Sequence, residues 1–168
     1  RDRVRGEYMA PWGVLEARAL GLENVIRSTQ AVDGRYGVPF DELIDPSLAA
    51  ASKRDNSTIL PEVAGPLCAS HPKSCQALAD QAVHVGVEFV RGVAGVRVQT
   101  GKRPSITFLN GIEREVRPRL IIGADGRAST VRKQSGIHLN KAQATHVVAG
   151  LLVEGALRWP DDQYAIGV

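Results

Sequence analysis

The sequence predicts an α/β fold with a β-meander, and three observations carry that reading. Apolar residues recur at helical spacing in two stretches of the N-terminal half. Residues 96 to 117 alternate in three short runs separated by turn residues. Leu120-Ile121-Ile122 is a continuous apolar run that ends in Gly123-Ala124-Asp125-Gly126. These patterns are those of amphipathic helices, half-exposed antiparallel strands and a strand covered on both faces.

Composition supports a folded chain and narrows its partners. The 168 residues are 43% hydrophobic and 23% charged, close to an ordinary globular domain and enough for one domain or slightly more. No apolar run approaches the roughly 18 residues of a membrane helix, so no membrane partner is expected. Arg1-Asp2-Arg3-Val4-Arg5 is not followed by the apolar stretch of a signal peptide, and a cytoplasmic location is the expectation. A net charge of +3 with scattered Lys and Arg, and only 5% aromatics, argue against nucleic acid as a partner. Cys68 and Cys75 lack metal-ligand spacing with each other or with the four histidines, so buried or half-buried free thiols are expected and no metal site.

The elements follow in order. Residues 1–7 read as a charged loop. Pro11 suits a first helical turn, and Trp12, Leu15, Ala19 and Leu20 predict a helix over 11–20 that Gly21 stops. A second short helix is expected over 23–30. Between Asp33 and Pro66 repeated Gly and Pro predict an irregular excursion with short strands, and Ser52 to Ser57 an exposed loop. Ser70 before His71-Pro72 predicts a helix start, Cys75, Leu78, Ala79, Ala82 and Val83 its apolar stripe, and Gly86 its end. Val87 to Val90 should begin a strand. The meander follows: one strand through Val96, Val98 and Thr100, one through Ile106 and Phe108, and one over 112–117. Asn110-Gly111 serves as a two-residue hairpin turn. Leu120 to Ile122 should be a buried parallel strand, Ser129 to Gln134 a helix, and Thr145 to Glu154 a long strand.

Strand, glycine-rich turn and helix in succession form a geometry that sets backbone N–H groups against phosphate. The glycines allow a tight turn and close approach to a ligand. Asp125 offers a carboxylate that can accept from a ribose hydroxyl or orient neighbouring backbone. A plain strand-to-helix turn with a capping Asp is the alternative.

The longer segment from Leu120 to Arg132 resembles the second flavin motif of the p-hydroxybenzoate-hydroxylase-like (class A) flavoprotein monooxygenases, in which a Gly-Ala-Asp-Gly turn precedes a helix bearing Ser, Val and Arg. Arg5-Gly6-Glu7 with Pro11 to Val14 and Leu20 to Leu22 resembles that family's arginine-bearing loop and following helix. His71-Pro72 through Leu78 and Gly86-Val87 resembles its helix near the isoalloxazine. The resemblance implies a partial Rossmann-like FAD-binding domain over 1–137, with 33–66 reaching towards a substrate domain, and the start of that domain's sheet over 138–168. It implies FAD as cofactor, NAD(P)H as reductant, and hydroxylation of an aromatic or related organic substrate by O₂ through a hydroperoxyflavin. By the same resemblance Arg5, His71, Gly123, Ala124, Asp125, Gly126 and Arg132 contact the cofactors. No residue is assigned as a catalytic acid or base.

Two family features are missing: the Gly-x-Gly-x-x-Gly motif that grips the ADP half of FAD, and the later Gly-Asp segment. The expectation is therefore an internal fragment of such an enzyme. A related flavin-dependent halogenase or reductase, or a non-catalytic piece that no longer holds FAD, stand as the alternatives.

Overall fold

The computed structural model describes residues 8–40, 43, 45–143, 145 and 160–167. In chain order their elements are β1 (Tyr8–Met9), α1 (Pro11–Ala19), α2 (Glu23–Arg27), β2 (Val32–Asp33), β3 (Tyr36–Phe40), α3 (Pro46–Ala49), β4 (Arg54–Asp55), β5 (Leu67–Cys68), α4 (His71–His84), β6 (Ala94–Gln99), β7 (Ser105–Asn110), β8 (Ile112–Val116), α5 (Thr130–Gln134) and β9 (Gln163–Gly167). The fold is mixed α/β. The chain divides into two compact units, Arg1–Val87 with Val148–Val168, and Glu88–Val147. The regions of the loop expected at 1–7 and of most of the strand expected at 145–154 lie outside the described residues.

In the first unit, antiparallel β1-β5-β2 and mixed β4-β3-β9 form two small sheets, with β9 running parallel to β3. Val14, Ala17, Ile26, Val63 and Leu67 make its core. α1 ends as Gly21 predicts: Gly21 takes φ 71° and Leu22 N–H donates to Ala17 O at 2.7 Å. Its buried face differs from the expected one, being Pro11, Val14 and Ala17, with Trp12 65% exposed. Val14 and Ala17 of that row pack in one cluster with Val63 and Leu67. The second helix stops at Arg27 and continues only as turns to Gln30. Glu23 joins Arg18 (2.6 Å) to Arg27 (2.9 Å), and Arg27 reaches Asp33 at 3.0 Å, tying α1, α2 and β2 together. Hydrogen bonds from Arg18 and then Arg27 pull the Glu23 carboxyl down to about 2.

The run 52–57 is not a simple exposed loop. Asn56 is 6% exposed and donates through Nδ2 to Gly34 O at 3.2 Å, while Arg35 pairs with Asp55 at 3.0 Å. α4 starts and stops where expected, closed at Gly86 (φ 93°) by Val87 N–H to Ala82 O at 2.9 Å. The Ser70 hydroxyl makes no capping bond, and the stripe is narrower than predicted: Ala79 is buried, Leu78 and Ala82 half-buried, Cys75 and Val83 exposed. Both cysteines are free thiols. Cys68 is half-buried as expected, whereas Cys75 is exposed.

In the second unit β6, β7 and β8 form the antiparallel meander. Its hairpin register centres on Gly111 (φ 74°), pairing Asn110 with Ile112, so the connection is not the expected two-residue turn. β6 is an edge strand, and α5 covers part of that edge. The Gln134 side chain accepts from Val98 N–H at 2.6 Å and donates to Val96 O at 2.9 Å, acting like one residue of a neighbouring strand. Two expected strands are absent. Residues 87–90 and 120–122 join no ladder, and Leu120 and Ile122 are 71% and 80% exposed instead of buried. An apolar run becomes a strand only when a partner supplies the other half of its hydrogen bonds, and none does so among the described residues.

Candidate functional site

The Asp125–Gly126 turn is held by contacts that its sequence encodes. Gly123 is required by packing: a Cβ there would lie 2.8 Å from Val131 Cγ1 and 2.9 Å from Val131 Cβ, so only glycine lets α5 sit this close. Gly126 is required by conformation, at φ 77°. Ser129 N–H then closes the turn on Gly126 O at 3.0 Å.

Asp125 is the anchor of this turn. It accepts from the Ser129 hydroxyl, from Thr130 N–H at 2.5 Å and from Val131 N–H at 3.2 Å. The buried Ser129 hydroxyl also accepts from Arg132 N–H at 3.0 Å, capping the helix. The Ser129 hydrogen bond, helped by the backbone N–H groups, holds the Asp125 carboxyl below the usual carboxylate range. The carboxylate is thus committed chiefly to orienting backbone, the capping role that the sequence left open, and Oδ1 keeps acceptor capacity beside the Ser129 bond.

Beyond the turn α5 closes at Gly136 (φ 71°), where Ile137 N–H donates to Arg132 O at 3.2 Å and Arg132 Nη1 returns a bond to Ile137 O at 2.9 Å. This fixes the half-buried Arg132 at one wall of a cleft of about 640 Å³. Gly126, Arg127, Arg132, Lys133, Asn140 and Lys141 line it, with no carboxylate side chain among the described residues of its surface. A concave site edged by guanidinium and ammonium groups favours an anion, and the arginine fork suits phosphate oxygens.

The sequence-predicted residues are therefore only partly assembled. Gly123, Ala124, Asp125, Gly126 and Arg132 share one turn and helix. His71 opens α4 in the other unit, exposed, with its Nε2 3.6 Å from Cys75 Sγ. Arg5 lies outside the described residues. Sequence reasoning missed Arg127, Lys133, Asn140 and Lys141 as a set. Only their recurrence around one turn pointed to them, and the returning segment 139–142 carried no motif. Among the described residues no group of His, Cys, Asp and Glu could hold a metal ion. No described helix is long and apolar enough to cross a membrane.

A family model described as an FAD binding domain matches residues 18–165. The chain belongs to that FAD-binding family. The matched span contains the entire Asp125–Gly126 turn, α5 and the basic cleft. No curated protein matches the chain in sequence.

Proposed function

We propose that this chain belongs to an FAD-dependent monooxygenase that uses NAD(P)H and O₂ to hydroxylate an aromatic or related organic substrate. The observation that carries the reading is the basic cleft beside the Asp125–Gly126 turn, in a chain of the FAD-binding family. The residues present fit a dinucleotide. Arg127, Lys133 and Lys141 supply cationic groups for phosphate oxygens, and Arg132 keeps guanidinium donors beyond the one spent on Ile137. Asp125 and Ser129 hold the turn so that Gly126 brings backbone, not side chain, to the cleft. Arg5 and His71 remain proposed contacts to the cofactor, on the family resemblance alone.

When bound, the flavin supplies the redox chemistry that activates O₂. The chain's own contribution is to bind and orient the dinucleotide, and no proton transfer is assigned to it. Overall, substrate C–H, NAD(P)H, a proton and O₂ become substrate C–OH, NAD(P)⁺ and water. Two free thiols accord with a cytoplasmic setting.

The test is isotopic. With FAD, NAD(P)H, a panel of phenols and ¹⁸O₂, the account expects one heavy oxygen in the hydroxylated product, detected by mass spectrometry. Product whose new oxygen comes from water, reduction without oxygen insertion, or no turnover with the whole panel would overturn it.

A further inference from the structure

A half-open groove of about 240 Å³ lies in the first unit, between strands β1 and β5 and helices α2 and α4, and shares no lining residue with the basic cleft. Met9, Ile26, Leu67 and Leu78 give it an apolar wall, and His71 and Cys75 line it beside them. Those two residues stand four apart on α4, so one face of the helix carries both. Cys75 Sγ is 3.6 Å from His71 Nε2 and 3.9 Å from Nδ1. A neutral imidazole keeps one ring nitrogen unprotonated in either tautomer, and both nitrogens are within reach of the thiol. The thiol therefore has an acceptor for its proton whichever tautomer is present. Tyr8, the other ionisable residue on the lining, stays protonated, because burial and then its bond to Tyr164 push its hydroxyl up to about 12.

The second thiol of the chain provides the comparison. Cys68 is half-buried and off the groove, and burial, with the nearby Asp33 carboxylate, pushes its thiol up. Cys75 is exposed. Reactive cysteines sit at accessible positions beside groups such as histidine, whereas buried thiols are inert. A free thiol is only a few per cent thiolate near neutral pH, so a base that takes its proton raises its reactivity by roughly tenfold or more. An apolar cavity of about 150 Å³ holds benzene, so the groove accommodates an alkyl chain of about six carbons.

We propose that Cys75 is a nucleophilic thiol that adds to alkyl-bearing α,β-unsaturated aldehydes, with His71 taking its proton and the groove holding the alkyl chain. The step balances without a co-reactant. The sulfur–carbon bond forms at the β-carbon, the carbon–carbon π bond opens, and the thiol proton passes by way of His71 and water to the α-carbon. The proposal does not rest on the flavin reading, and its test contains no flavin, so the two fail separately.

The probes are trans-2-nonenal and crotonaldehyde, which share the enal group and carry a hexyl or a methyl group on the β-carbon. Each is incubated with the folded chain and with the chain unfolded in urea, and adducts are located over time by peptide mass spectrometry. In the folded chain Cys75 should react roughly tenfold faster than Cys68. Nonenal should react there about tenfold faster than crotonaldehyde, the worth of two buried methylenes. Both differences should vanish in urea. His71→Ala and His71→Gln, the second keeping a polar side chain at the helix start, should each slow both probes at Cys75 by roughly tenfold. Ala69→Leu, on the lining and checked for folding by circular dichroism, should remove the nonenal preference and leave the crotonaldehyde rate unchanged. Cys68 reacting as fast as Cys75, equal rates for the two probes, or histidine variants as fast as the unaltered chain would each overturn the proposal.

Discussion

Replacing Gly123 by alanine tests the turn at its tightest contact. The new Cβ would stand 2.8 Å from Val131 Cγ1, whereas ordinary contacts begin at 3.4 Å, so Val131 must retreat by about 0.6 Å. Overpacking of this kind costs about 1–3 kcal/mol. The smaller entropy of the unfolded alanine chain offsets about 0.4–1 kcal/mol of that, because Gly123 does not occupy the left-handed region. A net loss of about 1–2 kcal/mol falls on α5, whose first amides are held by Asp125 and Ser129. Hydrogen exchange measured residue by residue is the appropriate assay, since a chain of two units need not unfold in one step. The amides of Thr130, Val131 and Arg132 should exchange roughly tenfold faster in Gly123→Ala, with the β7 amides unchanged. Adding Val131→Ala should recover only part of the loss, because Val131 Cβ itself lies 2.9 Å from the new atom. Unchanged exchange at Thr130 to Arg132 in Gly123→Ala would refute the packing argument.

Other consequences can be measured as directly. Glu23 has its carboxyl pulled from 4.5 to about 2 by Arg18 and Arg27, so its stabilisation is complete above pH 4.5 and is lost as pH falls towards 2. Urea midpoints should move to lower denaturant as pH falls across that window, and Glu23→Gln should flatten the dependence. Gly65→Ala would place a Cβ 2.7 Å from Gly34 O, a backbone atom that cannot swing away, and should lower the thermal midpoint by several degrees in a melting curve. Arg127→Ala and Lys141→Ala should each weaken FAD binding and reduce its salt dependence in fluorescence titrations at two ionic strengths, with the helix content unchanged.

What the sequence disclosed was the local part of this fold. Helix ends at Gly21 and Gly86 depend on one residue's freedom at positive φ, a feature that needs no distant partner. The meander was legible because its strands are neighbours in sequence. The failures were non-local. Leu120 to Ile122 carries the composition of a buried strand, yet a ladder requires a neighbour that sequence periodicity does not supply. The parallel pairing of Tyr36–Phe40 with Gln163–Gly167 joins segments far apart in the chain, with no local turn signal to announce it. The candidate site divided in the same way. Asp125 and Gly126 were found by motif, whereas Lys133, Asn140 and Lys141 became visible only once α5 and the segment after it folded around one cleft. The same geometry recast Asp125 mainly as the clamp of its turn, with its carboxylate turned to Ser129, Thr130 and Val131.

The central claim is that the cleft beside the Asp125–Gly126 turn receives the phosphates of a flavin dinucleotide. Equilibrium titration of the chain with FAD and with riboflavin, read by flavin fluorescence, tests it most directly, because riboflavin has the same ring system and no phosphate. The account predicts saturable binding of FAD that weakens in Arg132→Ala and with added salt, and much weaker binding of riboflavin. Failure to bind FAD, or equal affinity for riboflavin and FAD, would contradict it.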